Sequence, residues 1–371
     1  MMNRLFYELI RVAIGKSTNL SYTPSTEEWE HIFQMATKQA LLGVCFYGLQ
    51  RLGKQETISN LPVALKMKWF TIALKIQKQN KKLNERCVEL QNRMRSDGFR
   101  TYIMKGQGNA ALYVGSIDES EQLCMYRQSG DIDIFLEGGF KRVIDYVTRT
   151  HPTKDINNLE IHYNCYNDVD VEIHYKPFLM RNPWKNALLQ RFFKEEEEKC
   201  FANSIVLPTN GVISVPTLKF NLVHQMVHIF HHLCTEGIGL RQLMDYYFLV
   251  LRVHYQSEDI GKTLMITHNL GLDRFASAIM WVMQEVFGLD EEKMLWQPNK
   301  KDGSFILKDI MQRGNFGQLA DDNASLNSYW DSFWYVNSRA IKFWRFDYWA
   351  WFWTPFWRLY FFGWRKLKGY N

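Results

Sequence analysis

The chain has 371 residues, of which 46% are hydrophobic and 15% aromatic, so it carries enough apolar material for real cores and is no disordered tail. Charged residues make up 23% and the net charge is +6, a mildly basic balance that permits a polyanionic partner without implying one. Cys45, Cys87, Cys124, Cys165, Cys200 and Cys234 stand singly with no C-x-x-C pair, and Glu8 and Arg11 break the apolar run that a secretory leader needs; reduced thiols in a cytoplasmic chain are expected.

Residues 1–95 read as helical throughout. Ser25 precedes Thr26-Glu-Glu-Trp-Glu-His-Ile-Phe-Gln-Met-Ala36, and a serine cap followed by acids suits the positive end of a helix. From Leu65 to Asp97 apolar residues recur at helical spacing, until Gly98 stops the pattern. The lysines at 78, 81 and 82 read as a solvated face or as part of a phosphate-attracting rim.

A short strand, Phe99-Arg-Thr-Tyr-Ile-Met104, leads into the turn Lys105-Gly-Gln-Gly108 and a helix from Asn109 to Val114. Strand, glycine turn and helix put backbone N–H groups and a positive helix end beside a bound anion, and Lys105 adds a point charge. The same spacing also serves ordinary turns. A polar loop with Asp118, Glu119 and Glu121 follows.

In Arg127-Gln-Ser-Gly-Asp-Ile-Asp-Ile-Phe-Leu136 two carboxylates stand two residues apart in an apolar run. On a strand, Asp131 and Asp133 share one face and stay exposed, while Ile132, Ile134 and Leu136 enter a core. Such a strand is suited to hold a divalent cation. A helix from Phe140 to Thr150 follows, and then two alternating runs, 159–166 and 169–175, joined by Asn167-Asp168 as a hairpin. Asp170, Glu172 and His174 share one face of the second run. The run Lys-Glu-Glu-Glu-Glu-Lys at 194–199 reads as an exposed helix face, and extended segments at 204–208 and 211–216 close the unit.

The helix from Leu218 to Cys234 carries His224, His228, His231 and His232 on one side. A metal site, packing, and a polar wall of a cleft are the three readings. After Gly237-Ile-Gly239 another helix begins, with Arg241 and Asp245 spaced to pair with each other or with a neighbour. The tail from Tyr348 to Trp364 is densely aromatic and flanked by Arg345 and Arg365. Its uncharged core is too short to span a bilayer and Pro355 interrupts it; it suits a membrane headgroup region, or packing on its own domain or a second subunit.

Three stretches together carry a family resemblance: Met104-Lys105-Gly106 with Leu112-Tyr113 after it, Arg127-x-Ser-Gly-Asp131-Ile-Asp133-Ile, and Val171-Glu172-Ile-His174-Tyr175. They resemble the DNA polymerase β-like nucleotidyltransferase superfamily, most closely its branch of bacterial uncharacterised nucleotidyltransferases. His228 and Gly239-Leu-Arg241-Gln-x-x-Asp245-Tyr are similar to that branch's helical C-terminal region. The resemblance implies an α+β fold: a mixed sheet with helices over 96–216, between helical regions at 1–95 and 217–371.

It also implies transfer of a nucleoside monophosphate from an NTP to an acceptor, with release of pyrophosphate. Asp131, Asp133 and Glu172 would bind Mg²⁺ or Mn²⁺, and Glu172 would orient or deprotonate the acceptor hydroxyl. Lys105, Gly106, Ser129 and Gly130 would face the triphosphate, with Arg127 as charge clamp or brace. His174, His228, Arg241 and Asp245 are further cleft candidates. The acceptor is a protein, a small molecule or a sugar-like compound; with no basic patch interleaved with aromatics near the site, nucleic acid is not expected. The alternative is a degenerate nucleotide-binding or membrane-peripheral interaction protein acting through its tail.

Overall fold

The computed structural model describes residues 2–53, 58–113, 115, 122–253, 258–315 and 329–370. Four helices come first: α1 (Met2–Ala13), α2 (Thr26–Lys38), α3 (Leu42–Leu52) and α4 (Val63–Ser96). At α2 the Ser25 hydroxyl accepts from the Glu28 N–H and the Glu28 carboxylate accepts from the Ser25 N–H, a reciprocal cap. On α3, Gly43 lies so close to the Tyr126 carbonyl that a Cβ would collide with it, which brings this helix against the segment leading to the paired acids.

The long α4 buries three side-chain amides, and each serves a neighbouring segment. Asn80 Nδ2 donates to the carbonyls of Met125 and Arg127, both at 2.7 Å. Gln91 exchanges hydrogen bonds with the Ser214 backbone. The Asn84 side chain accepts from Gln107. Lys78 and Lys81 are exposed and Lys82 faces Asp168 at 3.7 Å; none of the three lines the cleft described below.

The sheet is built from β1 (Thr101–Ile103), β2 (Ile132–Leu136), β3 (Glu160–His162) and β4 (Val171–His174), in the order β1-β2-β4-β3. β2 and β4 run parallel; β1 and β3 pair antiparallel at the edges. The helix α5 (Gln107–Ala110) follows β1, and α6 (Gly139–Thr150) follows β2. Ile132, Ile134 and Leu136 enter a core with Leu83, Leu90, Val143 and Val147 from α4 and α6. On the opposite face Phe135 stacks on Tyr102, which meets Phe220 beyond it.

Several elements differ from expectation. The hairpin strands are shorter than the runs 159–166 and 169–175, so Asp170 lies outside the ladder. The helix expected at Asn109–Val114 is instead the single turn Gln107–Ala110, because the Leu112 and Tyr113 amides tighten to three-residue bonds and Tyr113 turns its hydroxyl to Asp245. Val114 and the acids Asp118, Glu119 and Glu121 lie outside the described residues.

α7 (Pro183–Ala202) carries the acidic run. Four successive acids cover more than one turn and cannot share a face, so Glu195 and Glu198 are exposed while Glu196 and Glu197 are buried. Glu196 pairs with Lys219 and Lys199. The extended segments form a hairpin of β5 (Ser204–Val206) and β6 (Val212–Ser214).

The remaining chain is helical: α8 (Leu218–Leu233), α9 (Leu240–Leu251), α10 (Glu258–Asn269), α11 (Asp273–Phe287), α12 (Lys300–Arg313), α13 (Tyr329–Lys342) and α14 (Tyr348–Lys368). Their core is continuous with that of the N-terminal helices, from Leu5 through Leu243 to Phe346. α14 continues through Pro355, contrary to the expected interruption; Thr354, just before it, donates to the Ala350 carbonyl. One side of α14 packs on the domain, with Trp353 against Trp184 and Trp364 against Phe140. Tyr348, Trp349, Phe352, Phe356 and Tyr360 are exposed on another. Among the described residues no helix is long and apolar enough to cross a membrane.

Candidate active site

The sheet register assembles the acids. Asp133 on β2 lies beside Glu172 on the parallel β4, and Glu172 lies beside His162 on β3. One step further along, Phe135, His174 and Glu160 form the next row. Side chains two apart share a face, so both rows open on the side covered by α8. Asp131 sits just before β2 and is exposed to the same cleft. The network of polar contacts there centres on Asp133, which is only 3% exposed, contrary to the exposed carboxylate expected.

Asp133 Oδ1 takes the Lys105 ammonium at 2.7 Å and faces His174 Nε2 at 3.0 Å. His174 Nε2 also lies 3.1 Å from Glu160, and His162 lies 3.5 Å from Glu172. Burial alone would raise the Asp133 carboxyl, but Lys105 and His174 outweigh it and hold the group below the ordinary range. Asp131 is shifted upward, first by the Asp133 charge and then by desolvation. Glu172 is pushed up to about 9 by burial and by Glu160, Asp133 and Asp131.

A carboxyl pushed up by burial and by neighbouring carboxylates is short of positive charge, and a divalent cation would supply it and favour the ionised form. Ligand atoms of Asp133, Glu172 and His174 all lie within 4.8 Å of one another. His174 Nδ1 is buried with no hydrogen-bond partner. The carboxylate oxygens of this set suit Mg²⁺ or Mn²⁺. The donor set therefore fits a divalent cation.

Lys105 and Gly106 form the turn after β1. Gly106 has φ +55°, the left-handed region that favours glycine, and a Cβ there would sit 3.4 Å from the Asp131 carbonyl. Gly130 borders the same cleft and has open space where a Cβ would stand. Ser129 does not line the cleft; its hydroxyl accepts from Arg127 Nη1 at 2.8 Å.

Arg127 is itself held by Asp245 on α9, with Nε–Oδ1 and Nη2–Oδ2 both 2.7 Å. The pair is buried on both sides. Tyr113 and Asn109 donate to the same Asp245 carboxylate, and Gln225 of α8 donates to Asn109. Arg241 reaches a neighbouring segment: its Nη1 donates to the Gln128 carbonyl at 2.6 Å. Two helical residues thus fix both ends of the Arg127–Gln128 step that enters the acid strand.

The α8 histidines form a polar wall of the cleft. Lys105 Nζ and His232 Nε2 converge on His228 Nε2 at 3.3 and 3.0 Å. His224 Nε2 faces the Pro177 carbonyl at 3.2 Å. Burial pushes His228 and His231 well below the usual imidazole range and His224 down to about 3. Among the described residues, the group able to hold a metal draws on the sheet and not on this helix.

The cleft, about 700 Å³, brings together Lys105, Gly106, Arg127, Gly130, Asp131 and Asp133, and also Glu172, His174, His228, Arg241 and Asp245. It adds Glu160, which lies opposite His174 in the register and was not singled out from sequence. The alternation Glu160-Ile-His162 matches Glu172-Ile-His174, and antiparallel pairing of those two runs was the signal available. Arg358 and Arg365 of α14 also border the cleft, and nothing in local sequence ties them to it.

A family model described as an uncharacterised nucleotidyltransferase matches residues 25–288. No curated protein and no solved structure matches the chain.

Proposed function

For a chain that belongs to the uncharacterised nucleotidyltransferase family, we propose metal-dependent transfer of a nucleoside monophosphate from an NTP to an acceptor hydroxyl. The observation that carries this reading is the register pairing of Asp133 with Glu172, with Asp131 at the strand entry and His174 within ligand distance. Asp131, Asp133 and Glu172 would hold Mg²⁺ or Mn²⁺. When bound, the ion supplies neutralising charge for the triphosphate and lowers the pKa of an attacking oxygen.

The chain's own residues supply the rest. Gly106 and Gly130 leave the backbone open to phosphate oxygens, and Lys105 gives a fixed positive charge between them and Asp133. Arg127, committed to Asp245, acts as a brace for the strand entry and not as a phosphate ligand. The acceptor oxygen forms a bond to the α-phosphorus as the bond to the α–β bridging oxygen breaks. Pyrophosphate leaves, and the hydroxyl proton passes to ionised Glu172. The cleft volume is that of a small-molecule site.

The test is incubation with α-labelled NTPs, Mg²⁺ or Mn²⁺ and a pool of cellular metabolites and proteins, beside the Asp131→Ala/Asp133→Ala double variant. Label should move to a new species only with the unaltered chain. Equal transfer by both proteins would sink the reading.

We also propose that the outer side of α14 rests on an anionic membrane surface. Tyr348, Trp349, Phe352, Phe356 and Tyr360 follow i, i+1, i+4, i+8 and i+12, one side of a helix, and the exposed Lys366 and Lys368 lie at its end. Flotation with vesicles of mixed phosphatidylglycerol and phosphatidylcholine should be seen for the intact chain and lost in Phe352→Ser/Phe356→Ser. A chain that stays unbound and elutes as a dimer would show that a second copy covers this side.

A further inference from the structure

Beyond the acids the cleft continues into a second cavity of about 350 Å³, roofed by α13 and α14. Asn157, Leu159, Glu236, Arg358 and Arg365 are among the residues that line both spaces. This cavity therefore adjoins the entry to β3, the sheet edge opposite to β1, whereas Lys105 and Gly106 follow β1. The two ends of the site are chemically different: glycine turns and a lysine at one, arginines and aromatic rings at the other.

Arg181, Arg358 and Arg365 line the second cavity together with Glu236, the carboxylate among its described lining residues, which faces His232 Nδ1 at 3.1 Å. Arg181 is 9% exposed and its side-chain hydrogen bond goes to the Thr354 hydroxyl; no carboxylate of the described residues reaches it. Arg358 bonds the Ser332 hydroxyl, and its Nε is buried without a partner. Burial draws both guanidiniums below their ordinary range, Arg181 to about 10. A buried cation with no counter-charge is costly unless an anion completes it. Trp357, Phe361 and Tyr335 add flat apolar surface.

We propose that this arginine-lined cavity binds the acceptor, a small molecule bearing a carboxylate or phosphate group joined to an apolar or aromatic body. The word acceptor rests on the nucleotidyltransferase reading; the anion site does not. The anionic group lies against Arg181 and Arg358, the apolar body lies against Trp357 and Phe361, and the hydroxyl that reacts faces Glu160 and Glu172. Guanidiniums hold both carboxylates and phosphates in two-point fashion.

Calorimetric titration of the full chain with phenyl phosphate and with benzoate, in chelator and without nucleotide, tests the proposal and separates the two anion classes. At least one probe should bind saturably, and its affinity should fall about tenfold or more in Arg358→Gln, the loss of a charge-assisted contact. Arg181→Gln should do the same if its thermal midpoint shows that it folds; Arg358→Gln, at a half-exposed position, carries the test otherwise. Binding of Mg²⁺ with a non-hydrolysable NTP should be unchanged in Trp357→Ala, at a residue that lines the second cavity and not the cleft, while its probe affinity falls. Probe binding should persist in Asp131→Ala/Asp133→Ala, so that a failed transfer assay and a failed anion site are told apart. Absence of saturable probe binding, binding indifferent to Arg358, or loss of NTP affinity in Trp357→Ala would each overturn it.

Discussion

Arg127 and Asp245 stand 118 positions apart and meet as a buried two-point ion pair, with both nitrogen–oxygen distances 2.7 Å. Asp245→Ala would leave a guanidinium buried without its counter-charge. The expected cost is about 3–5 kcal/mol of stability, read from urea unfolding. Arg127→Met/Asp245→Leu should cost less than the single change, since it removes both charges. A single-variant cost near zero would remove the brace assignment.

Glu172→Gln and Asp133→Asn address the metal reading. Each is expected to lower transfer activity by about a hundredfold or more, because the interaction lost acts on charge that develops in the reaction. Mn²⁺ affinity, measured by calorimetry, should fall in parallel. The fold should survive Glu172→Gln, which removes a carboxyl already crowded by Glu160 and Asp133. Unaltered Mn²⁺ binding in both variants would separate these residues from any metal.

His224 gives a pH signature. Burial, then the charges of Lys105 and His174, lower its folded pKa to about 3, against about 6.5 in an unfolded chain. Between those values the unfolded chain binds the extra proton, so this group's contribution to stability is lost as pH falls from about 6.5 toward 3. In His224→Gln the slope of stability against pH over that window should flatten by up to one proton, about 1.4 kcal/mol per pH unit. Denaturation series at several pH values check it.

Gly106→Ala places a Cβ on a backbone at φ +55° beside the Asp131 carbonyl. A stability loss of about 1 kcal/mol is expected from the backbone strain, with a larger loss of NTP affinity, because Lys105 is the adjoining residue. Titration of a non-hydrolysable NTP into the variant distinguishes the two effects.

Much of this molecule was legible in the sequence. The Ser25 cap, the long helix ending at Gly98, the paired-acid strand and the hairpin bearing Glu172 all follow from local patterns of capping, period and turn chemistry. The partners of those elements were not legible, because they depend on contacts between distant positions. Arg127 and Asp245 each read as a charged cleft residue, and only the packing of α9 on the strand entry pairs them. The same holds for the burial of Asp133 and for Glu160, whose place beside His174 depends on an antiparallel register. Arg181 and Arg358 belong to segments 177 residues apart that share a cavity only once α14 has docked.

The bond of Asn80 to the Met125 and Arg127 carbonyls forms between segments made early, but the charge on Arg127 waits for Asp245. At a synthesis rate of roughly 5–20 residues per second, Asp245 follows Arg127 by about 6–24 s. During that interval the strand entry has its backbone partner and lacks its counter-ion. The strands that carry Asp133, Glu160 and Glu172 all precede α9, so the acid rows can pair while Arg127 at their entry still awaits its counter-ion, and neutralisation of that entry marks a late stage in the chain's manufacture.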